Sequence, residues 1–466
     1  MTGPLDLTIE SIDAAGDGVA RHRGRLVTVP FTIPGERVRV RLAPARGRTL
    51  SAALVDVLDP SPHRVAPRCA HFGPEASPRG AGPCGGCAWQ HIAYPEQLRL
   101  KSSLVTRLVR AAVPRAPEAR PTIGGADPAS PWGYRHKVHF VFGSAAERGR
   151  RGAPPLVMGH YVRGSRRVIP VHECPVHDER GNRLAFRFRD AYARAQIGAA
   201  DRRAGPSGPA GVLRSVAIRV GARTSELMAT LVVSADTDKR LRAATRRVLE
   251  SESALTSLHL NLHPRGDAFV FGQDTRRLAG AERMREEVAG VSFLTSPTAF
   301  FQTNVLAAEV LVKLVLEAVP AATSVLDLYA GAGLFALPLA RRGNAVIAIE
   351  ENRDAVDDGE ASLRLNRIPA SRCTFVARSV EAGLRSARAA EAAVVDPPRD
   401  GCSPDVVDEL FGRLHPRTVA YVSCNPEALA RDLARITAHR YRIVSMQPVD
   451  MFPHTAHVET VVVLAR

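Results

Sequence analysis

Val325-Leu326-Asp327-Leu328-Tyr329-Ala330-Gly331-Ala332-Gly333-Leu334-Phe335 changes character twice within eleven residues. Up to Tyr329 it spells a short, mostly apolar strand. Gly331 and Gly333 then supply a turn, and the apolar run that follows predicts a helix. Glycines at a strand-to-helix turn let the backbone come close to a bound adenosine cofactor. Glu350 closes the next apolar run, Ala345–Glu350, where an acidic residue can take ribose hydroxyls. Gly331-x-Gly333-x-x-Ala336 also passes as a dinucleotide fingerprint, so on this stretch alone a nicotinamide-dependent oxidoreductase stays open.

Working outward, Ala392–Asp396, Thr418–Ser423 and Glu459–Ala465 are further short apolar runs with helical stretches between them. That alternation predicts a doubly wound α/β sheet beginning at about Gly290. Ligands in such sheets bind outside the carboxyl ends of the strands, and two motifs fall there. In Asp396-Pro397-Pro398-Arg399 the proline pair fixes the backbone. Enzymes that methylate exocyclic amino groups usually follow Pro-Pro with an aromatic residue, so Arg399 argues against N-methylation. In Val422-Ser423-Cys424-Asn425-Pro426 a cysteine faces the crevice and can act as a thiolate nucleophile. A lone cysteine is more often a small buried hydrophobe, and the neighbouring motifs favour the chemical role here. Asp450-Met-Phe-Pro-His454-Thr-Ala-His457-Val-Glu459 enters the last strand. Glu459 is out of place in an apolar strand unless it points into the cleft, where a desolvated carboxylate is a proton acceptor.

The 466 residues suffice for two or three domains. The net charge of +16 is unevenly spread: residues 1–290 carry 45 Lys and Arg against 27 Asp and Glu, residues 291–466 carry 18 against 20. A basic front half suits a polyanion, although an arginine-rich proteome would show the same bias. Residues 1–62 read as a small β unit with strands Leu7–Ile12, Arg25–Val29 and Arg37–Leu42. In the last, Arg37, Arg39 and Arg41 alternate with apolar residues, giving one basic face. Such barrels often bind single-stranded nucleic acid. A helix over Glu96–Ala112 follows, with Leu100, Leu104, Leu108 and Ala112 as its apolar stripe and Lys101 among the residues elsewhere. Lys137–Phe142, Leu213–Val220 and Glu226–Val233 are strand-like, broken by polar loops at 145–155 and 200–211, so the middle region reads as α+β. The apolar stretch Leu311–Ala340 holds Glu317, Asp327 and Pro320, and fits a buried strand with flanking helices better than a membrane span. No signal peptide is evident, and a cytoplasmic setting is expected, so the seven cysteines point to metal or catalysis rather than disulfides. Cys69, Cys84, Cys87 and Cys174 are the four before residue 291, and four thiolates suit zinc or an iron–sulfur cluster.

Together these motifs resemble the RNA uracil-5 methyltransferase family over nearly the whole chain. The likeness runs through Arg68-Cys69-Ala-His71-Phe72-Gly73, Cys84-Gly-Gly-Cys87 with Gln90-His91, and Tyr134-Arg135. It continues in Phe301-Gln302-x-Asn304, Asp327-x-Tyr329, Asp396-Pro-Pro-Arg399, Ser423-Cys424-Asn425-Pro426 and the Asp450–Glu459 segment. The resemblance implies a Rossmann-like S-adenosylmethionine (SAM)-dependent domain over 291–466. It also implies an OB-like TRAM RNA-binding barrel over 1–62 and a central domain over 63–290 with a [4Fe–4S] cluster on Cys69, Cys84, Cys87 and Cys174. By the same resemblance Gln302, Tyr329, Glu350 and Asp396 would contact SAM, Cys424 would be the nucleophile and Glu459 the base. It is closest to the 23S rRNA enzymes, with tRNA as the other RNA class, and a monomer is expected. Two departures are a 14-residue gap between Cys69 and Cys84, which a flexible loop absorbs at small entropic cost, and Leu334, where relatives often carry a polar residue.

An oxidoreductase accounts for the glycine turn and Glu350 but not for Cys424, the Asp396 motif or the basic front half. A non-catalytic RNA-binding protein accounts for the charge but predicts loss of the nucleophile or the base, and both are present.

Overall fold

A computed structural model describes residues 3–44, 49–74, 82–125, 127, 130–144, 156–200, 211–265 and 270–466. The polar stretches 145–155 and 201–210 and half of the Cys69–Cys84 insert, residues 75–81, lie outside the described residues. The chain divides into two compact units. One is formed by Met1–Pro74, Cys87–Pro131 and Leu306–Arg466, the other by Glu75–Gly86 and Trp132–Val305. The first unit gathers residues from each of the three consecutive sequence segments.

At the heart of the first unit is an eight-stranded sheet. Counted along the chain from Ser324–Leu328, seven strands lie in the order 3-2-1-4-5-7-6, and the short strand Ile123–Gly124 is added at the edge. The first five run parallel, whereas Glu459–Ala465 runs antiparallel to both Thr418–Ser423 and Arg442–Asp450. A dinucleotide-binding sheet places its sixth strand beside the fifth. Here a final hairpin inserts the seventh strand between them, which removes the fold-level support for an oxidoreductase. The Leu311–Ala340 stretch resolves into the end of helix Val305–Ala318, strand Ser324–Leu328 and most of helix Ala336–Arg341. Among the described residues no helix is long and apolar enough to cross a membrane.

Residues 5–59 form a six-stranded sheet around Leu7, Val27, Val29, Val38 and Val40. Arg37, Arg39 and Arg41 are exposed while Val38 and Val40 are buried, as the alternation predicts. Two of the three are spoken for: Arg37 pairs with Asp59 and Arg39 with Asp6, both at 2.9 Å.

Helix Tyr94–Ala112 opens with Pro95 in its first turn, where a missing N–H costs nothing. Its buried face is Leu100, Lys101, Leu104, Val105 and Val109, so the stripe is rotated from the one read in the sequence. Val105 and Val109 join the core beneath the large sheet with Tyr421, Leu433 and Val462. Lys101, expected on a polar face, is fully buried. Its ammonium donates to the Asp450 carboxylate and, at 3.1 Å, to the Phe452 carbonyl. Burial pulls the Lys101 pKa down, and Asp450 acts against it.

In the second unit a seven-stranded sheet is antiparallel except where Leu227–Val233 meets Leu255–Leu262. Leu213–Val220, read as strand-like, is buried at every position, Arg214, Ser215 and Arg219 included. Helices Glu179–Arg194 and Lys239–Ser251 add Leu184, Phe188 and Leu241 to this core.

Lys101→Met leaves the Asp450 carboxylate buried without its cation and is expected to cost about 3–5 kcal/mol in urea unfolding. A Lys101→Met/Asp450→Leu double variant, which removes both charges, should lose markedly less.

Candidate active site

One antiparallel strand pair fixes the site. Thr418–Ser423 pairs with Glu459–Ala465 so that Ser423 faces Thr460. Cys424, the residue after Ser423, and Glu459, the residue before Thr460, thus lie at the same end of the strand pair, close enough for the Glu459 charge to raise the Cys424 thiol. Cys424 lies between the strand end and the residue that caps the following helix. Asn425 caps helix Pro426–Ala438 by accepting from the Glu427 and Ala428 amides, and Pro426 takes the first helical position. The Asn425 side-chain amide donates to the Arg399 carbonyl at 2.9 Å, tying the Asp396 loop to the cysteine turn.

Three acids share this crevice and each is held toward its neutral form. Burial, then the charges of Glu459 and Asp396, push the half-buried Cys424 thiol up to about 11, with Arg399 opposing them. Glu459 is buried, and desolvation followed by Asp396 raises it to about 8, again against Arg399. Asp396 is raised to about 7 by burial. A carboxyl with so high a pKa is a better proton acceptor, once ionised, than an exposed one.

On the other side of Asp396 lies the glycine turn. Tyr329 takes a left-handed φ of 61°, rare for a bulky residue and typical of functional loops. Its ring packs on the core under the sheet, and burial raises its phenol strongly, with Cys402 the next cause. Gly333 is required, because a Cβ there would stand 2.3 Å from Leu337 Cδ1. Gly331, at φ 54°, has open space where its Cβ would be. Glu350 ends its strand with one oxygen accepting from the Gly331 amide at 2.9 Å and the other from Asn352 at 2.8 Å. Asp327 is fully buried, with the Ala336 amide directed at its carboxylate. Burial, then Asp396, raises it well above the carboxylate range, while the Ala336 amide counteracts. Open space over Gly331, with the Glu350 carboxylate beside it, fits an adenosine-bearing cofactor.

Not every expected residue shares this unit. Gln302 belongs to the second, where it lines a small pocket with His136, Lys137, Arg219 and Glu286. Cys69 and Cys87 lie in the first unit, Cys84 and Cys174 in the second. All four are half-buried and none forms a disulfide. Cys84 and Cys174 pack against the same core, and the Gly86 amide donates to Cys84 Sγ at 3.4 Å. Cys174 is also grouped with His160 and His177, their ligand atoms within 4.8 Å of one another. These two histidines carried no sequence signal, because the strand Leu156–Tyr161 and the turn before helix Glu179–Arg194 meet only in the fold. The Asp450–His454 part of the last motif serves structure. His454 is buried neutral, its pKa pulled to about 4, with its ring nitrogens on the Pro131 carbonyl and the Gln97 amide. Its backbone carbonyl accepts from the Ala88 and Trp89 amides.

The strand order, the glycine turn and the acids at the strand ends define a SAM-dependent methyltransferase fold. Residues 222–466 match the model of the family described as tRNA (uracil-5-)-methyltransferase, and residues 5–55 match the TRAM domain. An uncharacterized RNA methyltransferase of Gloeobacter violaceus is 36% identical over 99% of this chain and 96% of its own. One from Thermosynechococcus vestitus is 35% identical over 99% and 97%. The crystal structure of Pyrococcus abyssi tRNA (uracil-54, C5)-methyltransferase with S-adenosyl-L-homocysteine superposes with a TM-score of 0.77 at 26% identity, covering 99% of this chain and all of that one. The chain belongs to the tRNA (uracil-5-)-methyltransferase family. It is a SAM-dependent RNA (uracil-5-)-methyltransferase.

Because Glu459 raises the Cys424 thiol and Arg399 lowers it, iodoacetamide alkylation of Cys424 should titrate near pH 11 in the wild type. The midpoint should fall in Glu459→Gln and rise in Arg399→Gln. Identical midpoints in all three would refute this electrostatic arrangement.

Proposed function

We propose that Cys424 and Glu459 are the nucleophile and the base of uracil C5 methylation. The observation that carries this is their juxtaposition: two paired antiparallel strands bring a thiol and a buried carboxyl together at one end of the pair, close enough for the carboxylate to raise the thiol. Uracil C5 is too weak a carbon nucleophile to be methylated directly. Cys424 Sγ bonds to C6, and the electrons of the C5–C6 double bond move toward O4, leaving an enolate whose C5 is electron-rich. Bound SAM would give its methyl group to C5 and leave as S-adenosyl-L-homocysteine, with Tyr329, Glu350 and Asp396 holding it. Glu459 then takes the C5 proton. The double bond re-forms and Cys424 departs as thiolate. The target uridine must leave its stack to reach the crevice, and the N-terminal barrel is suited to holding its strand.

For the RNA, the first reading is 23S rRNA, the class to which a chain joining this barrel, cysteine set and sheet is most similar. The whole-length likeness to the Pyrococcus abyssi tRNA enzyme favours a second reading, a tRNA uridine. RNA carrying tritium at uracil C5 separates them: 23S fragments and tRNA are offered separately, and tritium released to water marks the substrate. Cys424→Ala should release none. Glu459→Gln should accumulate the covalent RNA adduct and release tritium about 10²–10⁴-fold more slowly. Wild-type release by Cys424→Ala would end the nucleophile assignment.

We also propose that Cys69, Cys84, Cys87 and Cys174 hold a [4Fe–4S] cluster with a structural or RNA-positioning role. Four half-buried thiols, one already accepting an amide N–H, have suitable donor chemistry. Protein purified without oxygen should contain iron and show broad visible absorbance, and Cys69→Ala should lose both. One zinc per chain, lost in His160→Ala and retained in Cys69→Ala, would instead assign the metal to His160, Cys174 and His177.

A further inference from the structure

Beneath the crevice, one buried carboxylate touches several of the segments that build it. Asp432, in helix Pro426–Ala438, is only 1% exposed and is surrounded by the apolar core of the sheet. It accepts from the Tyr421 hydroxyl at 2.5 Å and from the Cys402 amide at 2.8 Å. Tyr421 lies on the strand that ends at Cys424. Cys402 closes the loop that begins at Asp396, and its thiol meets both the Tyr421 hydroxyl, at 3.7 Å, and the Tyr329 phenol. Gly401, at φ 81°, lies directly on the carboxylate, since a Cβ there would stand 2.4 Å from Asp432 Oδ2. The same helix holds this loop twice more, through Asn425 on the Arg399 carbonyl and Arg431 on the Asp400 carbonyl at 3.0 Å. Stability alone does not call for a carboxylate here. Well-packed apolar residues often serve a core as well or better, whereas a buried acid fixes the direction of each group it binds.

We propose that Asp432 is a positioning residue for methyl transfer, locking the Asp396–Cys402 loop and Tyr329 on the cofactor side to the strand that presents Cys424. It touches no reacting atom and acts through Cys402, Tyr421 and Gly401. The inference rests on Cys424 being the nucleophile.

The test is single-turnover methyl transfer to the substrate RNA at saturating SAM, with SAM Kd and thermal unfolding measured on the same preparations of full-length protein. Asp432→Asn keeps the shape and removes the charge. Gly401→Ala keeps Asp432 and pushes the loop off it. Each should slow methyl transfer about 10- to 100-fold, the scale of a small misplacement of reacting groups, while SAM Kd moves less than about threefold. If both act by the same loop displacement, the double variant should be no slower than the slower single, since residues working through one contact are not additive. Lowered melting temperatures with wild-type rates, or rate losses that multiply in the double variant, would overturn the positioning role. Cys424→Ala, assayed alongside, tells the two failures apart. Activity in that variant removes the nucleophile reading, whereas an inert Cys424→Ala beside full-rate Asp432→Asn and Gly401→Ala removes the positioning role alone.

Discussion

The register between Thr418–Ser423 and Glu459–Ala465 is the constraint on which the meeting of Cys424 and Glu459 depends. Side chains alternate faces along a strand, so a slip of one residue would turn Glu459 away from Cys424. The register is secured by burial, since Val462 and Leu464 pack into one core with Val419 and Tyr421. Packing that stabilises the sheet thereby sets two polar groups at its end, where the parallel strands also bring Asp396 and the Tyr329 turn.

Burial then acts a second time, as electrostatics. Asp327, Asp396, Glu459 and Cys424 would repel one another strongly if all were ionised. Desolvation is the leading cause of the upward shift in every one of them. The crevice therefore rests with much of its acid chemistry protonated. Arg399, on the loop tied to the cysteine turn, is the cation that opposes the shifts of both Cys424 and Glu459. An arginine after Pro-Pro in place of an aromatic ring thus suits the thiolate and electron-rich ring of the proposed mechanism rather than a stacked amino group.

A further layer of polar contacts holds these elements from behind. Lys101 and Gln97 of helix Tyr94–Ala112 grip Asp450, Phe452 and His454, the segment that leads into the Glu459 strand. The same segment meets the N-terminal β unit through Trp89, whose indole donates to the Gly16 carbonyl at 2.8 Å, and through the apolar group of Ile12, Ile33, Trp89 and Ala456. The barrel and the strand bearing Glu459 are in this way parts of one packed body.

Much was legible in the sequence because it depends on local rules. Short apolar runs, the Gly331–Gly333 turn, the Asn425–Pro426 helix start and the alternation in Arg37–Leu42 each follow from periodicity or backbone preference over a few residues. Tyr329, Glu350, Asp396, Cys424 and Glu459 could be named because they sit where such runs end. What the sequence could not determine depends on partners distant along the chain. Lys101 reads as a solvent-facing cation until Asp450, 349 residues later, is brought against it. Asp432 reads as an ordinary helical acid until Tyr421 and Cys402 converge on it, and His160 and His177 acquire meaning only beside Cys174. Local propensity fixes where a strand stops. Only tertiary packing, by excluding water and choosing neighbours, decides which buried polar group faces which, and so what each can do.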